Sequence, residues 1–379
     1  MRSSRLSLML VTLLAIPAAL TAQGIPDRLS DAEFWHMFAD FSEPNGIFSS
    51  ENLLSNETGF QQVIPELLRT VKPGGVYVGV GPEQNFTYIA ALHPKMVFIV
   101  DIRHQNAVYH LLYKALIELS DNRADFLSKL FSRPRPSGLT NTTSVDSLFS
   151  AYAAVAHDSV LYYKTLAAVK DQLLKVHGFA ISPDELKLLE GNFDALYWNG
   201  PDLSYSVRTF NAPNGGGGGF GRGGNFVNYT TLMTATDNAG VKRSYLSADS
   251  TYQVLRDLEL RNMLVPITGN FAGPKALRTV ADYVKQHNAT VTAMYCSNVE
   301  QYLFQDGIWT TFAANVAALP LDSSSTFIRS GRPGAGFAGG GRGGPNGMAN
   351  SLLQSMQRLV QDVADGKIHG YADVLNTSH

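Results

Sequence analysis

The segment GGVYVGVGPEQNFTYIAALHPKMVFIVDIRHQN, residues 74–106, constrains the fold more than any other stretch of the chain. Val76, Tyr77 and Val78 are β-branched or aromatic and run straight into Gly79 and Gly81, the pattern of a buried strand ending in a tight turn. A helix is expected from about Asn85 to Leu92, a second apolar strand over MVFIVD (96–101), and a long helix from about Gln105 to Leu119. Strands that alternate with helices in this way lie parallel in one sheet, with the helices covering both faces. The expected class is an α/β protein with a mostly parallel sheet.

The same rhythm returns late in the chain. RNMLVPITGNF (261–271) reads as a strand, GPKALRTVADYVKQHN (273–288) as a helix, ATVTAMYCSN (289–298) as a strand and STFIRS (325–330) as a candidate last strand. Upstream, helices are expected near Ser30, with Glu33 completing a capping box, and over Gly59–Thr70, ended by Pro73 and Gly74. Between about 121 and 245 the periodicity becomes helical, over 144–178 and again over 182–197, where Ser182 caps and Pro183 fills the first turn. Two glycine tracts, 211–226 and 331–347, read as flexible loop insertions, and a final helix is expected from about Met348 to Asp365.

With 379 residues, 45% hydrophobic and 16% charged, the chain fits one large α/β domain with a helical insertion. A formal net charge of -2 argues against nucleic acid as partner, and the Arg-Gly-Gly elements at Arg222, Arg332 and Arg342 are too few to reverse that. A small-molecule ligand is the expected partner. The first 22 residues carry Arg2 and Arg5, an apolar run from Leu6 to Leu20 and small residues around Ala22, the three parts of a Sec-type signal peptide. That implies an exported chain, periplasmic or secreted, with a mature domain over 23–379 and no stable membrane insertion after cleavage. An uncleaved anchor is the alternative, disfavoured by the short run and Pro17. Cys296 is the lone cysteine, so no intramolecular disulfide can form and the core alone must hold the exported fold.

Gly79 and Gly81 fill the first two positions of a G-x-G-x-x-G fingerprint, whereas Gln84 stands at the third. Pro82 fixes the turn, and Glu83 puts a carboxylate beside the next helix N-terminus, where it would repel a pyrophosphate. A cofactor with a cationic amine and no phosphate fits this turn better. Asp101 ends the second strand 20 residues beyond Gly81, where an acid can accept hydrogen bonds from both ribose hydroxyls. The same acid could instead cap the next helix or pair with Arg103.

VYVGVGPEQN followed by FIVDIR resembles the cofactor half of the class I S-adenosylmethionine-dependent methyltransferase fold, a Rossmann-like architecture. Together with LFSRPRPSGL, VPITGNFAGPKALRTVADYV and SNVEQYLF it also resembles an uncharacterised family of bacterial proteins with that fold, over most of residues 50–305. The resemblance implies S-adenosylmethionine contacts at Gly79, Gly81, Glu83 and Asp101, with Ile102 beside the adenine. Pro82 and Asn85 in the same turn complete the expected cofactor-binding set. Two positions depart from the methyltransferase pattern: Tyr77 stands where an acidic residue is usual, and Glu83 replaces the loop's third glycine.

Candidates for chemistry lie after the strands. Asn270 corresponds by resemblance to the segment that orients the acceptor, with helix capping as the competing role. Ser297, Asn298 and Glu300 follow VTAMYC (291–296), and Ser55, Asn56 and Glu57 precede the fold proper, where the amino-acid end of the cofactor would be reached. Glu300, Asp249, Glu83 and His104 are possible bases. The histidines have no partners at metal-ligand spacing, and neither a G-x-S-x-G elbow nor a P-loop is present. The sequence thus leads to a methyltransferase-like protein whose pocket is lidded by the 121–245 insertion. The rivals are an exported, non-catalytic binding protein on the same fold and, more weakly, an NAD-type oxidoreductase.

Overall fold

Six strands carry the architecture: β1 (Val76–Gly79), β2 (Met96–Asp101), β3 (Leu264–Thr268), β4 (Val291–Ser297), β5 (Thr326–Gly331) and β6 (Asn350–Ser355). The computed structural model describes residues 24–48, 52–205, 227–331 and 350–378. The expected signal segment, the tract at 211–226 and all of the tract at 331–347 except Gly331 lie outside the described residues. The sheet order is β3-β2-β1-β4-β5-β6. β1 to β5 pair in parallel, and β6 alone runs antiparallel, against β5. The strand order reverses at β1, with β2 on one side and β4 on the other, which creates a switch point between β1 and β4.

Helices flank both faces of this sheet. The early ones are α1 (Asp31–Asp40), α2 (Ile64–Thr70), α3 (Gln84–Leu92) and α4 (His104–Glu118). The insertion supplies α5 (Arg123–Phe131), α6 (Val145–Ala153), α7 (Ser159–Asp171), α8 (Pro183–Asn199) and α9 (Tyr229–Thr234). Then follow α10 (Asp249–Leu260), α11 (Ala276–Gln286), α12 (Val299–Gln305), α13 (Trp309–Ala317), α14 (Met356–Ala364) and α15 (Tyr371–Asn376). Caps set several boundaries. Ser30 with Glu33 and Ser182 with Glu185 form capping boxes at α1 and α8. The helical stretch expected over 144–178 divides because Asp158 caps a new helix, its carboxylate accepting from the Leu161 amide at 2.9 Å.

Every residue of β1 and β2 is buried, as an apolar strand in the middle of a parallel sheet must be. Leu127, Phe131, Leu148 and Phe193 of the insertion belong to the same continuous hydrophobic core as the strands. The insertion therefore thickens the domain instead of forming a second one.

The C-terminal helix begins later than the sequence pattern suggests. Residues 350–355 form β6, and Ser355 caps α14 through the Arg358 amide at 3.3 Å. Leu352 and Leu353 pair with Arg329 and Ile328 and are buried there. Without β6, β5 would present an open row of unpaired backbone groups at the sheet edge, a stronger requirement than the helix propensity of a short apolar run.

Glu300, one of the expected bases, is spent on this architecture. It sits in α12 wholly buried and pairs with Arg329 of β5, whose Nη2 donates to Oε1 at 3.3 Å and whose Nε binds the other oxygen. The guanidinium also lies over the Phe327 ring, 4.1 Å from its centroid. Removing one partner strands a buried charge, so Arg329→Met is expected to lower unfolding stability by about 3–5 kcal/mol. The double change Arg329→Met, Glu300→Leu should recover much of that loss, as read from urea midpoints.

Candidate functional site

A cleft of about 350 Å³ opens over the carboxyl ends of the central strands. Val80, Gly81 and Pro82 reach it from β1, Asp101, Ile102 and Arg103 from β2, Gly269, Asn270 and Phe271 from β3, and Tyr295, Ser297 and Asn298 from β4. Ile47, Phe48 and the segment Leu54–Glu57 cover it from the N-terminal side, with Tyr205 and Tyr302 at the rim. Open parallel sheets expose unpaired strand ends and diverging loops at this place, which is why ligands gather there. Among its described residues, the insertion reaches the cleft only through Tyr205, and the N-terminal arm covers the cleft as well.

The turn after β1 is held from behind. Gly81 has φ +79°, a conformation that side chains resist, and so turns the chain from strand to helix. Asn85 donates from Nδ2 to the Val80 carbonyl at 2.9 Å and the Pro82 carbonyl at 2.7 Å, while its Oδ1 accepts from Tyr77 OH at 2.9 Å. Asn106 and His110 of α4 donate to the Gly81 carbonyl at 3.1 and 2.9 Å. Burial pushes the His110 imidazole down to about 4, so the ring is neutral and carries its proton on Nε2 to make that bond. Gly79 serves the same hub: a Cβ there would lie 1.9 Å from Asn85 Oδ1. Gly79 and Asn85 thus shape the turn and do not line the cleft, whereas Gly81 and Pro82 do.

Glu83 points away from the cleft. It is fully buried behind the turn, neither carboxylate oxygen has a hydrogen-bond partner, and it lies among Tyr109, Tyr113, Tyr229 and Tyr245. Burial pushes its carboxyl up to about 8, so it is neutral at pH 7. It can neither hold a cationic ligand nor repel a pyrophosphate.

On the β2 side, Asp101 lines the cleft with both oxygens engaged by Arg103. The Arg103 amide and Nε donate to Oδ1 at 2.9 and 3.1 Å, and Nη2 donates to Oδ2 at 3.1 Å. The alternative of pairing with Arg103 is therefore realised in this structure, and each carboxylate oxygen keeps lone-pair capacity for a further donor. Ile102 faces the cleft beside the N-terminal arm, where Gly46 donates its amide to the Ile102 carbonyl at 2.9 Å. Asn270 also lines the cleft, and its Oδ1 accepts from the Ala272 amide at 2.9 Å inside the loop; it does not cap α11, which begins only at Ala276. Because β3 lies next to β2, Asn270 flanks the Asp101 half of the cleft and not the β4 half. Glu43, unremarked in the sequence, ties the arm down by accepting from the Lys275 and Ala276 amides, both at 2.8 Å, and from the Asn270 amide at 3.1 Å.

The β4 side carries the cleft's buried acid. Glu57 accepts from Tyr295 OH at 2.9 Å and Ser297 Oγ at 2.5 Å on Oε1, and from Gln84 Nε2 at 2.9 Å on Oε2. Burial raises its carboxyl above the ordinary range, and the hydrogen bonds from Ser297, Gln84, Tyr295 and Ser330 oppose that rise. Among the described lining residues Arg103 alone is cationic, against Glu57, Asp101 and Asp306.

Two other candidates lie elsewhere. Asp249 opens α10 and accepts from the Arg123 amide at 3.3 Å, outside the cleft lining. His104 bridges Thr268 Oγ1 at 2.8 Å and Glu185 Oε1 at 2.9 Å, joining α4 to β3 and α8, and its hydrogen bond holds the Glu185 carboxyl down at about 2. Among the described residues no group of three or more histidines, cysteines or acids is placed to hold a metal ion, and no helix is long and apolar enough to cross a membrane.

An open α/β sheet with a ligand-sized cleft at its switch point defines the class. Within it, the chain belongs to the family described as a domain of unknown function (DUF7790), whose model matches residues 53–140 and 224–377. The unmatched interval, 141–223, takes in α6, α7 and α8 of the insertion, while every strand and every cleft segment from Leu54 onward except Tyr205 falls inside the match. No curated protein matches the chain.

The buried acids make stability pH-dependent. Glu83 titrates at an ordinary 4.5 when unfolded and at about 8 when folded, so the folded state binds the extra proton between those values. The Glu83 contribution to stability must then fall as pH rises from about 4.5 to about 8, by up to about 1.4 kcal/mol per pH unit, and level off above. Glu83→Gln is expected to flatten that slope in urea unfolding across pH 5–8. The remaining pH dependence should reflect Glu259, also pushed up to about 8 by burial, Glu57, raised likewise, and His110, whose lowered value makes stability rise with pH from about 4 to about 6.5.

Proposed function

We propose that the cleft binds S-adenosylmethionine or a closely related nucleoside, and that the protein is a methyltransferase-like member of its family. The observation that carries this reading is the placement of Asp101 and Ile102, at the end of β2, on the same cleft as the Gly81 turn. A carboxylate there meets ribose hydroxyls, and an aliphatic side chain beside it packs against a purine. S-adenosylmethionine carries an ammonium and a sulfonium and no phosphate. Glu57 lies across the cleft from Asp101, where the amino-acid end of such a ligand would extend, and the acid excess of the lining favours that cation. A dinucleotide would bring its pyrophosphate toward the switch point and so toward Glu57, which disfavours the oxidoreductase reading.

A second reading has its own support. Of the expected bases and acceptor-orienting residues, Glu300 and Asp249 stand outside the cleft, and the Asn270 carbonyl oxygen is engaged by the Ala272 amide. That favours an exported binding protein that holds the nucleoside without transferring a methyl group.

Calorimetric titration with S-adenosylmethionine, S-adenosylhomocysteine and NAD tests the shared part of both readings. Binding of the first two is expected, weakened at least about tenfold in Asp101→Ala as a charge-assisted hydrogen-bond pair is lost, with thermal unfolding as the control for fold. Absence of heat from the first two, or tighter binding of NAD, would refute it.

A further inference from the structure

Ser297 is set apart by its backbone. Five described residues other than glycine have positive φ, and four of them, His93, Ser132, Asn262 and Asn288, sit at or just beyond helix C-termini, where a left-handed residue is an ordinary stop. Ser297, at φ +51°, is the exception: it ends β4, precedes α12 and faces the cleft. The β4–β5 register also shifts between Tyr295 and Ser297. A serine held in a sparsely populated conformation at a strand-to-helix turn, with its hydroxyl toward a cleft, is strain that the surrounding structure maintains. The same geometry presents the nucleophile in enzymes whose sequence signature, G-x-S-x-G, is missing here, and such sites are recognised by geometry and role and not by motif.

The hydroxyl has its base. Ser297 Oγ donates to Glu57 Oε1 at 2.5 Å, within the range of a charge-assisted O–H···O⁻ bond. Glu57 is itself oriented by Tyr295 OH and Gln84 Nε2. Asn298 and Asn56 line the cleft beside the pair and carry amide N–H donors for a developing oxyanion.

We propose that Ser297 and Glu57 form a serine–carboxylate nucleophilic pair that cleaves small carboxylic esters in this cleft. Ser297 Oγ attacks the ester carbonyl carbon while its proton passes to Glu57 Oε1. The tetrahedral adduct collapses with rupture of the acyl C–O bond, and the departing alkoxide takes the proton back from Glu57 and leaves as alcohol. Water then attacks the acyl-serine, giving its proton to Glu57; as the bond to Oγ breaks, Oγ takes that proton back from Glu57, which releases the carboxylic acid and restores both the serine hydroxyl and the Glu57 carboxylate. No oxidant, metal or nucleoside is required; because the nucleoside reading places the ligand's amino-acid end at Glu57, an ester and that ligand would compete for this half of the cleft.

A fluorophosphonate carrying a fluorophore tests it, since attack by Oγ displaces fluoride and leaves a stable phosphonyl-serine. One label per chain is expected, mapped to Ser297 by peptide mass and lost in Ser297→Ala. Glu57→Gln should slow labelling at least about 100-fold, the usual worth of a general base. The pH profile of the unaltered protein tests the base without any variant: the rate should rise with one ionisation above the ordinary glutamate range and then level off. Failure to label Ser297 in folded protein, or a rate that climbs with hydroxide without a plateau, would overturn the proposal.

Discussion

The turn between β1 and α3 depends on one buried side chain. Asn85 holds the carbonyls of Val80 and Pro82 and is held in turn by Tyr77, while α4 takes the Gly81 carbonyl through Asn106 and His110. Three successive peptide groups are thereby fixed from the protein side, at a place where short glycine turns would otherwise sample several conformations. That rigidity allows a cleft to exist at the switch point before any ligand arrives, and preorganisation of this kind lowers the ordering cost of binding. It also accounts for Gly79, which is small because Asn85 must pass it.

The two halves of the cleft have different chemistry. The β2–β3 half offers Asp101, Ile102 and Asn270 under an arm clamped by Glu43, where the sugar and base of the proposed nucleoside would sit. The β1–β4 half offers Glu57, Tyr295 and Ser297, a buried acid with hydroxyls on it, a setting for proton transfer and for cations. Residues of the family match supply both halves, whereas the unmatched interval adds helices that pack on α4 and thicken the core. The cleft therefore belongs to the part of the chain that defines the family.

Much of the fold was legible because local patterns and tertiary demands agree. The bounds of β2 follow from its uninterrupted apolar run, and α1 and α8 begin where their capping boxes stand. The last strand was not legible: NSLLQS is too short for its period to separate strand from helix, and only the open edge of β5 decides the matter. The site was read at its backbone but not at its side chains. Gly81, Pro82, Asp101 and Ile102 do line the cleft, yet Glu83, next to Pro82, turns inward, since the direction of a side chain at a turn depends on dihedrals that spacing does not encode. Glu300 could not be known as an ion-pair partner until Arg329 was placed on β5 beside it, and Ser297 bears no sequence mark of its left-handed backbone.

The central claim is that a nucleoside ligand occupies this cleft across both halves, and a crystal structure of the protein with S-adenosylhomocysteine tests it most directly. The account predicts ribose hydroxyls on the Asp101 carboxylate, the adenine against Ile102 and the homocysteine end extended toward Glu57. Density for the ligand at another place, or a cleft left empty at saturating concentration, would contradict it.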